Sequence, residues 1–206
     1  MRKNVFLKAA LLFGTIASYG SIAATEATPE YFPPKVLDEA KHAFGTALVL
    51  ETYARTLHEL GESSIYKSCG QTRGETYRFL YLSEIGGERI VVTLLRDGVS
   101  RLTGKAVGLR PAYQLESKAD LSDEDWKSLA GKIAAVLSLK EKGRPEKSIV
   151  DADNLVFESC KANSYQMIYR WLPTEDAAGQ ELLNLGEALI RAVKFELSIR
   201  PTNVVP

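Results

Sequence analysis

The sequence predicts an α+β fold: an N-terminal helix, a four-stranded antiparallel meander, a helix, a β-hairpin and a C-terminal helix. Three observations lead there. Apolar residues recur at helical spacing over Lys35–Leu60, Leu121–Leu139 and about Asp176–Leu197. Between the first two lie aliphatic and aromatic runs punctuated by Gly86-Gly87 and Asp97-Gly98, the turn chemistry of hairpins. A second pair of such runs lies between the last two helices. Grouped strands with helices laid on one face define the α+β class, as opposed to the regular strand–helix alternation of a parallel sheet.

Each element has its own signal. Val36, Leu37, Ala40, Phe44, Ala47, Leu48 and Leu57 form the stripe of the first helix. Gly45 and Thr46 weaken its middle, so two shorter helices also fit. Gly61, with His58 in the last turn, marks its end. Glu62–Gly74 is a polar connection carrying Cys69. Thr76–Ile85 is apolar on both alternating faces, which predicts a strand covered on both sides. Arg89–Arg96 is its return strand, and Val99–Leu109 and Ala112–Lys118 complete the meander.

Leu121–Leu139 is the clearest helix. Ser122 is its N-cap, Asp125 sits in the capping-box position, and Leu121 can pack on Trp126 as a hydrophobic staple. Trp126, Leu129, Ile133, Val136 and Leu137 share one face. Lys140–Lys147 is a charged loop with Gly143 and Pro145. Leu155–Cys160 and Tyr165–Leu172 form the second hairpin around Lys161-Ala162-Asn163-Ser164, which Pro173 ends. The last helix presents Leu182, Leu185, Leu189, Ala192 and Phe195.

The section from Thr76 to about Ala192 resembles a group of small exported Gram-negative proteins, and three stretches carry the resemblance. They are Thr76-Tyr77-Arg78-Phe79-Leu80, Leu121-Ser122 leading to Trp126 and Leu129, and Tyr165–Pro173 followed by Leu182–Leu189 with its Leu185-Gly186 pair. The resemblance implies a sheet, helix, hairpin, helix order and no activity. Members of that group tend to carry His where Gln166 stands, and this departure argues against an acid–base role at that position.

The N-terminus predicts an address. Met1–Asn4 is short and basic, Val5–Ala17 is mostly apolar, and Ser21-Ile22-Ala23-Ala24 offers small residues for cleavage after Ala23 or Ala24. The apolar stretch is shorter than the roughly 20 residues a spanning helix requires. Residues 1–24 thus read as a signal peptide, 25–34 as a mobile leader and 35–200 as a single α+β domain. The chain has 26 basic and 26 acidic residues. Three basic residues and no acid lie before Thr25, so the exported part is mildly acidic, which disfavours nucleic-acid binding. An oxidising periplasm would pair Cys69 with Cys160. The implied product is a periplasmic protein that is not an integral membrane protein.

Catalytic signatures are scarce. His42 and His58 are the only histidines and are too far apart to form a helical ligand pair. The sequence carries no nucleophile elbow, phosphate loop or dinucleotide fingerprint, so neither metal nor cofactor is expected. Asp120, Asp123, Glu124 and Asp125 read as favourable charges at a helix N-terminus. Tyr165, Met167, Tyr169 and Trp171 share one strand face. They either pack beneath the last helix or, with Arg170 and with Arg78 from a neighbouring strand, form a recognition surface of the residue types that carry binding energy. The expectation is a non-enzymatic periplasmic protein that recognises another exported protein, in an inhibitor or immunity-type role. The alternative is a cell-envelope hydrolase or carbohydrate-binding protein whose acidic residues converge only in three dimensions.

Overall fold

The structure is a computed structural model and describes residues 30–36, 46–71, 73–83, 87–109, 112–138, 153–171 and 177–195. The expected signal peptide, His42, the Lys140–Lys147 loop and Pro173 lie outside them. In chain order the elements are helix α1 (Thr46–Glu59), the single turn α2 (Ile65–Ser68), strands β1 (Glu75–Leu82), β2 (Arg89–Arg96), β3 (Ser100–Leu109) and β4 (Ala112–Asp120), helix α3 (Asp123–Ser138), strands β5 (Asn154–Lys161) and β6 (Ser164–Trp171), and helix α4 (Ala177–Ala192).

The α+β class holds, with one antiparallel sheet of six strands in the order β4-β3-β2-β1-β5-β6. The expected meander and hairpin are therefore halves of the same sheet. They join where β5 pairs with β1, from Thr76↔Cys160 to Leu82↔Asn154. This pairing satisfies the edge that β1 would otherwise leave with a row of open backbone groups.

Helices lie on both faces, which corrects the one-sided arrangement expected from the sequence. Tyr77, Phe79 and Tyr81 of β1 join Ile90, Val92, Leu94, Leu155, Phe157 and Ile168 in a core covered by α3 and α4. The alternate residues Leu80 and Leu82, with Val91, Val156 and Trp171, form a second core under Leu50, Tyr53, Ala54 and Leu57 of α1. The reason is in β1 itself: a strand apolar on both faces requires a cover on each. Tyr31 and Phe32, which fall in the expected leader, are buried in this second core. Within the range expected as one helix, Lys35–Leu60, the structure has α1 over Thr46–Glu59; residues 37–45 lie outside the described set, so the helix over the full range is not shown.

Local chemistry sets the ends. α1 stops at Gly61, whose φ of 66° permits Glu62 N–H to reach Leu57 O at 2.8 Å and Gly61 N–H to reach His58 O at 3.0 Å. This is a Schellman motif with glycine in the left-handed position. α4 ends the same way, with Lys194 at φ 60° and Phe195 N–H on Ile190 O, short of the Leu197 expected from periodicity. At the start of α3, Ser122 Oγ accepts from Asp125 N–H at 3.1 Å and donates to the Asp125 carboxylate at 2.6 Å. Trp126 of α3 lies under the Arg96 guanidinium, 4.1 Å from the ring centre.

α4 approaches β1 through Gly186. A Cβ at that position would lie 2.1 Å from the Phe79 ring, so only glycine lets the helix backbone settle onto the aromatic.

Candidate functional site

The second face of the sheet carries a stripe of charge through its apolar core. Strand register places it: Arg78 is paired with Thr93 on one side and Glu158 on the other, and Glu158 with Met167. Arg78 is 1% exposed and Glu158 fully buried. Arg78 Nε donates to Glu158 Oε2 at 2.7 Å, and Nη2 lies 2.6 Å from the same oxygen. The other carboxylate oxygen accepts from Tyr165 Oη–H at 2.8 Å. Burial and the Glu158 charge push the Tyr165 phenol well above its ordinary range, so it stays a neutral donor.

The stripe continues into the connection after α1. Arg78 Nη1 donates to Ser63 O at 2.7 Å. Glu62, placed by the Schellman turn, accepts from Thr93 Oγ1 at 3.1 Å and meets Lys105 Nζ at 2.8 Å. Lys105 also donates to Leu60 O at 2.6 Å, and Tyr31 Oη–H to Glu62 O at 2.8 Å. Two cations and two carboxylates thus balance, and Arg78, Lys105 and Glu62 tie the segment after α1 to the sheet below. A buried pair of this kind is stable only as a pair, because either charge alone would carry its full desolvation penalty.

The disulfide closes the same corner. Cys69 and Cys160 are bonded, with Cα atoms 5.6 Å apart, and join the end of α2 to β5. Tyr66 of α2 packs edge-on against Tyr165 at 5.4 Å. The cover over Arg78, Glu158 and Tyr165 is therefore held by a covalent bond, an aromatic contact and the ionic stripe.

The residues singled out from the sequence as a possible recognition surface divide by position. Arg78 and Trp171 are buried, Trp171 within the second core. Tyr165 and Tyr169 are half-buried on the same face of β6. Tyr169 Oη–H donates to Asn154 Oδ1 at 3.0 Å, and its ring meets Trp171 edge-on at 5.6 Å. Arg170 is on the opposite face, 3% exposed, with Nη1 donating to the carbonyl of Tyr169 at 2.8 Å. The Tyr165–Trp171 stripe does not pack beneath the last helix. It faces the α1 side, while Ile168 from the intervening positions meets the core under α4. β6 is a terminal strand among the described residues, and Tyr165, Met167 and Tyr169 lie partly buried along it, Met167 and Tyr169 against the second core and Tyr165 beneath Tyr66.

Glu62, Lys105 and Glu158 were not distinguished by the sequence. The available signal was a charged residue inside an apolar strand: Glu158 in Leu155-Val156-Phe157-Glu158, matching Arg78 in Tyr77-Arg78-Phe79-Leu80. Such charges must find partners when the strands are buried.

Elsewhere the polar groups support the frame. Tyr81 Oη–H donates to the buried Asp153 at 2.9 Å. Glu75 accepts from Tyr77 Oη–H at 2.7 Å and pairs with Lys161 at 2.9 Å. Partial burial alone would raise the Glu75 carboxyl, but these hydrogen bonds and the neighbouring positive charges outweigh it and hold it below the usual carboxylate range. A shallow depression lined by Arg73, Glu75, Arg96 and Asp97 opens where β1 begins and β2 ends. Among the described residues no three His, Cys, Asp or Glu side chains gather to hold a metal ion, and no helix is long and apolar enough to cross a membrane.

No protein-family model, curated protein or solved structure matches the chain.

Proposed function

We propose that the chain is an exported, non-enzymatic binding protein that recognises another protein, in an inhibitor or immunity-type role, through the β6 edge. The observation that carries this reading is that β6 is a terminal strand of the described sheet, with Tyr165, Met167 and Tyr169 only partly buried along it. Edge strands offer open backbone groups to an incoming strand, and aromatic residues and Met are the side chains enriched where proteins bind. The support behind the edge is rigid. Glu158 holds Tyr165 from β5, Asn154 holds Tyr169, and the disulfide fixes Cys160 opposite Tyr165. A pre-ordered edge loses little entropy on binding.

The test is capture from periplasmic extract with the oxidised chain as bait, beside Met167→Ala and Tyr169→Ala baits that keep the wild-type circular dichroism. The proposal expects a stoichiometric protein partner on the wild-type bait and its loss from both variants. Recovery of no partner, or equal recovery on all three baits, would overturn it.

A further inference from the structure

The opposite edge of the sheet is built differently. β4 is the other terminal strand, and its exposed residues are charged or polar, apart from Leu115 at 40% exposure. Gln114, Glu116, Lys118 and Asp120 share the face of Lys105, as the pairs Lys105↔Glu116 and Thr103↔Lys118 require. Tyr113, Leu115, Ser117 and Ala119 share the other face, where Leu115 is paired with Ala106. Tyr113, Ala119 and Leu121 already pack against the core under α3 and α4.

We infer that β4 is a self-association edge, pairing antiparallel with β4 of a second copy of this chain about a two-fold axis at Ser117. That register is selected by charge. With the axis at Ser117, Glu116 faces Lys118 of the second copy and Lys118 faces its Glu116, so one symmetric contact forms two opposite-charge pairs. The same register sets Leu115 opposite Ala119, giving the exposed Leu115 an apolar neighbour on the second copy. Moving the axis to Glu116 apposes two glutamates. Moving it to Lys118 apposes two lysines and sets Glu116 against Asp120. In the single chain Glu116 and Lys118 already lie 3.2 Å apart, both largely in solvent, so the dimer turns one exposed pair into a four-charge cluster. A two-fold contact is self-complementary by construction, and opposite charges directly across strands are favourable where like charges are not. The two sheets become one continuous sheet with a β6 edge at each end. This inference is independent of what β6 binds.

Sedimentation velocity of the oxidised chain over a wide concentration range tests it. The wild type should show a concentration-dependent monomer–dimer equilibrium. Glu116→Lys and Lys118→Glu should each raise the dissociation constant by about tenfold or more, since both symmetric pairs become repulsive. The double variant Glu116→Lys with Lys118→Glu should restore wild-type association, because the pairs are exchanged and not lost. Both side chains are exposed, so folding is not at stake. A wild type that stays monomeric throughout, single variants that associate normally, or a double variant that does not recover would each overturn the proposal.

Discussion

Arg78 shows how a single residue can organise this face. It sits in the middle of a buried strand, and its guanidinium reaches Glu158 across one strand and Ser63 in the connection after α1. Arg78→Ala leaves Glu158 buried without its counter-ion, and the expected loss is about 3–5 kcal/mol by chemical denaturation. Tyr165→Phe removes only the hydroxyl that Glu158 Oε1 accepts, and should lower stability by about 1–3 kcal/mol near neutral pH. The pH dependence has a definite sign. Tyr165 has a folded-state value above its unfolded value of 10.0, so its contribution is fully present below pH 10 and is lost as pH rises through the folded value. Tyr31, Tyr77, Tyr81 and Tyr113 are raised in the same direction, chiefly by burial. Phenolate absorbance in an alkaline titration should therefore lag the ordinary tyrosine range and rise steeply where the fold is lost. A gradual rise centred at the ordinary value would contradict the burial of these phenols. Glu75 acts in the acid limb. Its folded value is depressed, so its contribution is present above the unfolded value and fades as pH falls through the folded one.

At the scale of elements, local signals were readable and long-range ones were not. Gly61, Gly98 and the Ser122 cap act within a few residues of themselves, and each stands where a turn or helix end was expected. Periodicity also separated the strands from the helices. It had no means of pairing β5 with β1, because that contact joins residues such as Leu82 and Asn154 across the whole β2–α3 span. For the same reason Glu158 was not read as the partner of Arg78, which lies 80 residues away. The stripe on β6 was recognised, yet its facing depended on where the first helix lands, and that is set by tertiary packing. Gly186 is the clearest test of an element contact. Gly186→Ala should improve helix propensity in isolation yet destabilise the protein by about 1–3 kcal/mol, because the methyl group drives α4 off Phe79. A neutral or stabilising outcome in thermal denaturation would show that α4 does not rest on Phe79.

At the scale of the whole molecule, the described residues form a sheet covered on both faces around its centre, with β4 and β6 as its terminal strands. Its cover on the α1 side is tied down by the ionic stripe and by Cys69–Cys160, which spans 91 residues. Replacing both cysteines by serine should lower stability by about 4–5 kcal/mol, the upper end for a loop of this length, read as a lower denaturation midpoint. The loss should be felt most in α2 and the Tyr66–Tyr165 contact, which the bond holds over β5 and β6. A frame this closely braced leaves the edges as its distinctive surfaces, and the account assigns β6 to a protein partner. Hydrogen exchange of the chain with and without its captured partner measures this most directly. The account predicts new protection concentrated in Ser164–Trp171. Protection appearing elsewhere while those amides exchange unchanged would contradict it.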